Sequence, residues 1–107
     1  MNIENSKLKN IVREACSSSG VLCRNAFLFG SRGRGDGDDL SDYDILIIVS
    51  ENISTKLKHS ISKAIRTELA SHLVGADIII VSDEESEYFK DKTGSIVKSA
   101  LAEGLVL

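Results

Sequence analysis

The sequence predicts an α/β (α+β) fold, a small mixed β-sheet packed with helices. Three observations predict it. Apolar runs of strand length alternate with segments of helical periodicity, the order reads αβ, βαβ, αα and a terminal strand, and no proline, repeat or linker interrupts the chain. At 107 residues the chain has room for one core, so residues 1–107 are expected to form a single domain, with any larger machinery supplied by a partner. Its 42% apolar and 27% charged residues place it with globular rather than disordered chains.

Each element has its own signal. Over residues 6–19, Leu8, Ile11, Val12, Ala15 and Cys16 gather on one side of a helix, and Ser17-Ser18-Ser19-Gly20 ends it. Residues 21–29 become apolar at Ala26-Phe27-Leu28-Phe29 and stop at Gly30, which reads as a first strand. A Gly-rich loop leads to a second strand at 43–49. From Ser54 onward Leu57, Ile61, Ala64, Ile65, Leu69 and Leu73 recur at spacings of three and four, giving a helix over roughly 55–73 with Gly75 as its stop. Residues 76–81 form a third strand, apolar on both faces and so expected to be covered on both. Ser82-Asp83-Glu84-Glu85 fits a capping box that opens a short helix, with its glutamates on a solvated face. A last helix is expected over 94–103, then a short edge strand at Leu105-Val106-Leu107.

Composition excludes several classes. A net charge of −3 with scattered basic residues disfavours nucleic-acid binding, although a single nucleotide with its metal stays compatible. No run approaches a membrane span, and Met1-Asn2-Ile3-Glu4-Asn5 lacks the marks of a signal peptide, so a cytoplasmic chain without a membrane partner is expected. Cys16 and Cys23 read as small apolar residues rather than a disulfide, and His59 and His72 as ordinary helix residues.

The chemistry concentrates in the stretch from Gly30 to Asp44. Residues two apart on a strand share a face, so Asp42 and Asp44 point the same way at the mouth of the apolar run Ile45-Leu46-Ile47-Ile48-Val49, with Tyr43 opposed. Gly30-Ser31 ends one strand whereas Asp42 and Asp44 begin the next, so the two meet only if those strands are antiparallel. The helix-containing connection that follows permits a parallel crossover, which brings Asp77 to the same edge. Carboxylates in this array suit magnesium, which takes oxygen ligands together with substrate phosphates; a third allows a second ion for in-line phosphoryl displacement. Asp77 would bind that ion and accept the proton of an attacking hydroxyl. Gly30 and Ser31 would meet the phosphates, and Arg32 and Arg34 would neutralise leaving pyrophosphate, one of them sufficing. Neither a P-loop nor a Rossmann glycine pattern is present.

Gly30-Ser31, ten intervening residues and Asp42-Tyr43-Asp44 resemble the G-S-x(10)-D-x-D pattern of the DNA polymerase β-like nucleotidyltransferases. Gly-Ser-Arg-x-Arg-Gly with Ser-Asp-x-Asp is similar to the minimal nucleotidyltransferases (MNT) of bacteria and archaea, including MntA-type antitoxins. The later Gly75-Ala76-Asp77 segment and the ending Ala102-Glu103-Gly104-Leu105-Val106-Leu107 extend the resemblance over most of the chain. It implies a polymerase β-like fold, Gly30, Ser31, Arg32 and Arg34 as nucleotide-binding residues, and Asp42, Asp44 and Asp77 as catalytic ligands of Mg2+, two ions in all. It further implies transfer of AMP from ATP to a tyrosine of a HEPN-domain toxin, with this chain as antitoxin. The alternatives are a catalytically silent module that neutralises a HEPN partner by binding, or a small-molecule nucleotidyltransferase. Departures from the pattern are Gly33 where alanine is common, Tyr43 where an aliphatic residue is common, and the extra acids Asp36, Asp38 and Asp39.

Overall fold

The computed structural model describes residues 2–38 and 40–107; Met1, which opens the N-terminal segment, and Asp39, one of the extra acids, lie outside the described residues. In chain order the elements are α1 (Asn5–Ser18), β1 (Cys23–Phe29), α2 (Gly30–Arg34), β2 (Tyr43–Val49), α3 (Thr55–Ser71), β3 (Ala76–Ser82), α4 (Asp83–Phe89), α5 (Ile96–Glu103) and β4 (Leu105–Val106). The sheet order is β3-β2-β1-β4. β1 is antiparallel to β2 and β4, while β2 and β3 run parallel, as the placement of the aspartates required.

The inner strand β2 explains its own composition. Ile45 to Val49 are buried without a break, because both faces of the strand are covered. Tyr43, Ile45 and Ile47 pack with Ala26 and Leu28 against α1 and α3, which present Leu8, Val12 and Cys16 and Ile61, Ile65 and Leu69 at four-residue spacing. Leu46 and Ile48 face the other way, with Val81, toward Val97 and Ala100 of α5. Each fully buried aliphatic side chain contributes roughly 1.5–3 kcal/mol, so the strand that carries Asp44 and follows Asp42 is firmly anchored in the core.

The capping box forms as expected: Glu85 N–H donates to Ser82 Oγ at 3.0 Å and Ser82 N–H to Glu85 Oε1 at 2.9 Å. Glu85 is nevertheless no solvated face residue, because Lys58 Nζ donates to it at 2.9 Å and ties α3 to α4. Both cysteines are free and buried. Among the described residues no helix is long and apolar enough to cross a membrane.

Other details differ from expectation. The Gly-rich stretch opens as a helical turn, α2, rather than as loop. The last helix begins at Ile96, with Ser95 Oγ accepting from Lys98 N–H at 3.3 Å as its cap. β3 is covered on both faces as expected, Ile78 and Ile80 packing on one side and Ile79 and Val81 on the other, but it lies at the sheet edge, so Ile78 and Ile79 stay half-buried. Gly75 does not stop α3. Leu73 does, with φ of 61°: Val74 N–H reaches back to the Leu69 carbonyl and Leu73 N–H to that of Ala70, the paired bonds that close a helix through a left-handed residue.

Candidate active site

β2 and β3 place Asp44 and Asp77 as direct register partners across a parallel pair, about 4.8 Å apart as adjacent strands are. Asp42 stands two residues earlier, on the same side as Asp44. The antiparallel neighbour of Asp44 is Phe29, so the chain leaving β1 turns into Gly30 directly beside the carboxylates. All three aspartates and Gly30-Ser31 therefore come to one end of the sheet, on the face that α5 covers only in part.

Two glycines make that gathering possible. Gly30 has φ of 65°, and a Cβ there would lie 2.2 Å from Asp44 Oδ2. Only glycine both takes the left-handed turn and leaves the carboxylate its place. Gly75 is needed for space alone, since a Cβ would lie 2.5 Å from Asp42 Oδ1. Its carbonyl also accepts from Tyr43 N–H at 3.0 Å, which locks the start of β3 against the Asp42-Asp44 segment. Sequence reading missed Gly75 as a site residue because a glycine after a helix already had an explanation. We predict that Gly75→Ala displaces Asp42 and lowers any reaction run at these carboxylates by about 10²-fold, with the melting temperature little changed; an unaltered turnover number would show that Asp42 does not need this space.

The electrostatics are those of a site short of positive charge. Burial pushes the Asp44 carboxyl up from its ordinary value, as do the negative charges of Asp77 and Asp42 and a hydrogen bond shared with Asp77, while Arg34 pulls it partly back. Among the described residues no three His, Cys, Asp or Glu side chains form a ready-made metal cage. The donor set is carboxylate oxygen, it is mutually repelling, and it is open to phosphate and water oxygens. These properties fit a hard divalent cation such as Mg2+.

The Ser31 carbonyl accepts from Asp36 and Gly37 N–H at 3.1 Å each, so the turn is closed by its own backbone. Its hydroxyl has no hydrogen-bond partner among the described residues and is available as a donor. The two arginines differ. Arg32 lies 4.4 Å over the Tyr43 ring and donates to the Ser41 carbonyl at 3.1 Å and to Asn2 Oδ1, so it has to leave these contacts to meet a phosphate. Arg34 is exposed, paired with Asp36 at 3.2 Å and Glu103 at 3.4 Å, and its charge reaches Asp44. Exposed pairs of this kind are weak and exchangeable. Glu103 was not singled out from sequence; its pairing joins the end of α5 to the loop.

Comparison with known proteins follows the same lines. The family model described as Polymerase beta, Nucleotidyltransferase matches residues 7–100. A putative nucleotidyltransferase from Sulfolobus solfataricus is similar at 34% identity, over 81% of this chain and 75% of that one, with a TM-score of 0.55. A mutant MntA-HpeT toxin-antitoxin structure shares the fold, with a TM-score of 0.67 over 97% of this chain and 72% of that one, at 14% identity. No curated protein matches the chain.

Proposed function

The chain belongs to the polymerase β nucleotidyltransferase family, and from that premise we propose that it transfers AMP from Mg-ATP to a hydroxyl of a protein partner. The partner in this reading is a HEPN-type toxin, the acceptor is a tyrosine, and the chain acts as its antitoxin. The observation that carries the transfer is the meeting of Asp42, Asp44 and Asp77 opposite the Gly30-Ser31 turn, with the Asp44 carboxyl pushed up by burial and by its acidic neighbours. Support for the partner class comes from the fold shared with a toxin-antitoxin assembly.

The residues divide the work. Asp42, Asp44 and Asp77 hold divalent cations, which supply charge neutralisation for an in-line displacement at the α-phosphorus. The Gly30-Ser31 turn and the Ser31 hydroxyl bind the phosphate chain, and Arg34 offers its planar fork to the departing pyrophosphate. Asp77, exposed on the edge strand, takes the proton of the acceptor hydroxyl. The acceptor oxygen bonds to the α-phosphorus as the bond to the bridging oxygen of the β-phosphate breaks.

Labelled ATP tests the reading. With magnesium and a lysate of the source cell, label on the α-phosphate is expected to appear on a protein band, and label on the γ-phosphate is not. Transfer of γ-label would make the chain a kinase-like enzyme and end the proposal. No label from either position, with a purified HEPN protein still bound and inhibited, would favour the silent binding module.

A further inference from the structure

The two edges of the sheet are built differently. β4 is two residues long, and short edge strands discourage pairing with other chains. β3 is seven residues long, contains neither proline nor glycine, and keeps Ile78 and Ile79 half-exposed. Tyr43 N–H donates to the Gly75 carbonyl and the pairing is parallel, so Asp77 and Ile79 carry the bonding to β2 onward. Ala76, Ile78 and Ile80 then turn their N–H and C=O groups to the free side.

An open groove of about 700 Å³ runs along that side. Its floor is Ala76–Ile80, and its wall is one face of α3, where Lys58, Ser62, Lys63 and Arg66 recur at helical spacing. Lys58 is committed to Glu85 at 2.9 Å. Lys63 has no ion pair among the described residues, and Arg66 Nε reaches the Ser62 carbonyl of its own helix at 3.4 Å. In a chain of net charge −3 the groove reverses the local sign, and Asp77 stands at its end.

We propose that this groove binds an extended acidic segment of the acceptor protein, added to the sheet as a strand along β3, so that an acceptor hydroxyl is delivered to Asp77. Delivery rests on the transfer reading above; binding does not. Main-chain bonds to Ala76, Ile78 and Ile80 supply affinity, and the cations of α3 select acidic side chains. A second copy of this chain is the wrong occupant, because pairing β3 with itself sets two basic α3 faces against each other.

The test uses a library of random seven-residue peptides selected on the whole chain and counter-selected on Lys63→Glu/Arg66→Glu, exposed positions where the fold is checked by an unchanged melting temperature. Retained peptides are expected to carry Asp or Glu at alternate positions, to bind the double variant at least tenfold more weakly and Lys63→Gln/Arg66→Gln in between. They are also expected to slow hydrogen exchange at the Ile78 and Ile80 amides. Retention of no peptide, absence of the acidic alternation, protection elsewhere, or a dimer of the chain already protected at those amides overturns the proposal. Peptide binding without label transfer from ATP would leave the groove standing and remove the transferase reading. Label transfer to protein that is indifferent to the charge reversal would do the opposite.

Discussion

Asp44→Asn is expected to remove nucleotidyl transfer, by about 10³-fold or more, while making the metal-free protein more stable. The loss follows from the position of Asp44 between Asp42, Asp77 and the Gly30 turn. Charge stabilisation by a bound cation amounts to several kcal/mol in the transition state, and each ~1.4 kcal/mol is tenfold in rate. The gain in stability follows from the raised carboxyl. A carboxylate lifted above its ordinary value of 3.8 favours the fold while protonated, and that contribution is lost as pH rises through the folded-state value. Near neutrality the ionised Asp44 therefore weighs against folding, and a neutral amide does not. Thermal melts without metal should show the variant above wild type at pH 7, with the gap closing toward pH 3, where the wild-type carboxyl is protonated too. Wild-type turnover in Asp44→Asn would remove this residue from the site, and a lower melting temperature at pH 7 would contradict the repulsion.

Gly30→Ala is expected to damage both activity and stability. The left-handed backbone, φ of 65°, costs a residue with a Cβ about 1–2 kcal/mol, and the added carbon would meet Asp44 Oδ2 at 2.2 Å. For a domain of this size the backbone strain alone lowers the melting temperature by about 5–15 °C. Displacement of Asp44 accounts for the lost transfer. Combining Gly30→Ala with Asp44→Gly should relieve the clash and keep the strain, so the two changes are expected to be non-additive in stability. An active, fully stable Gly30→Ala protein would mean that the turn does not sit where the carboxylate needs room.

Much of the arrangement was legible because the chemistry and the hydrophobic pattern constrain each other. The unbroken run Ile45 to Val49 marked a buried strand, and the positions of Gly30-Ser31 and Asp42-Tyr43-Asp44 at opposite strand ends required an antiparallel pair if the two were to share one site, as they do. The helix-length connection to Asp77 likewise indicated the parallel neighbour. What escaped were features that depend on tertiary approach. Gly75 looked like a helix stop, but its lack of a Cβ accommodates Asp42, and the exposed Leu73 takes the left-handed position instead. The apolar run of β3 correctly gave cover on both faces, but periodicity carries no information about whether a strand is inner or edge. The two arginines were equivalent in the sequence. Tyr43 and the Ser41 carbonyl separate them by holding Arg32, while Arg34 is exposed and its charge acts on Asp44.

The most direct test of the three-carboxylate site is thermal unfolding with Mg2+ and an ATP analogue whose α,β-bridge is methylene and cannot be cleaved. A ligand at ~100 times its dissociation constant adds about 2.7 kcal/mol to stability, so the wild-type melting temperature should rise with concentration, and more with both additives than with either alone. Asp42→Asn/Asp44→Asn should lose the joint effect. An equal rise in that double variant, or no rise in wild type at millimolar nucleotide and metal, would contradict a metal-nucleotide site at Asp42, Asp44 and Asp77.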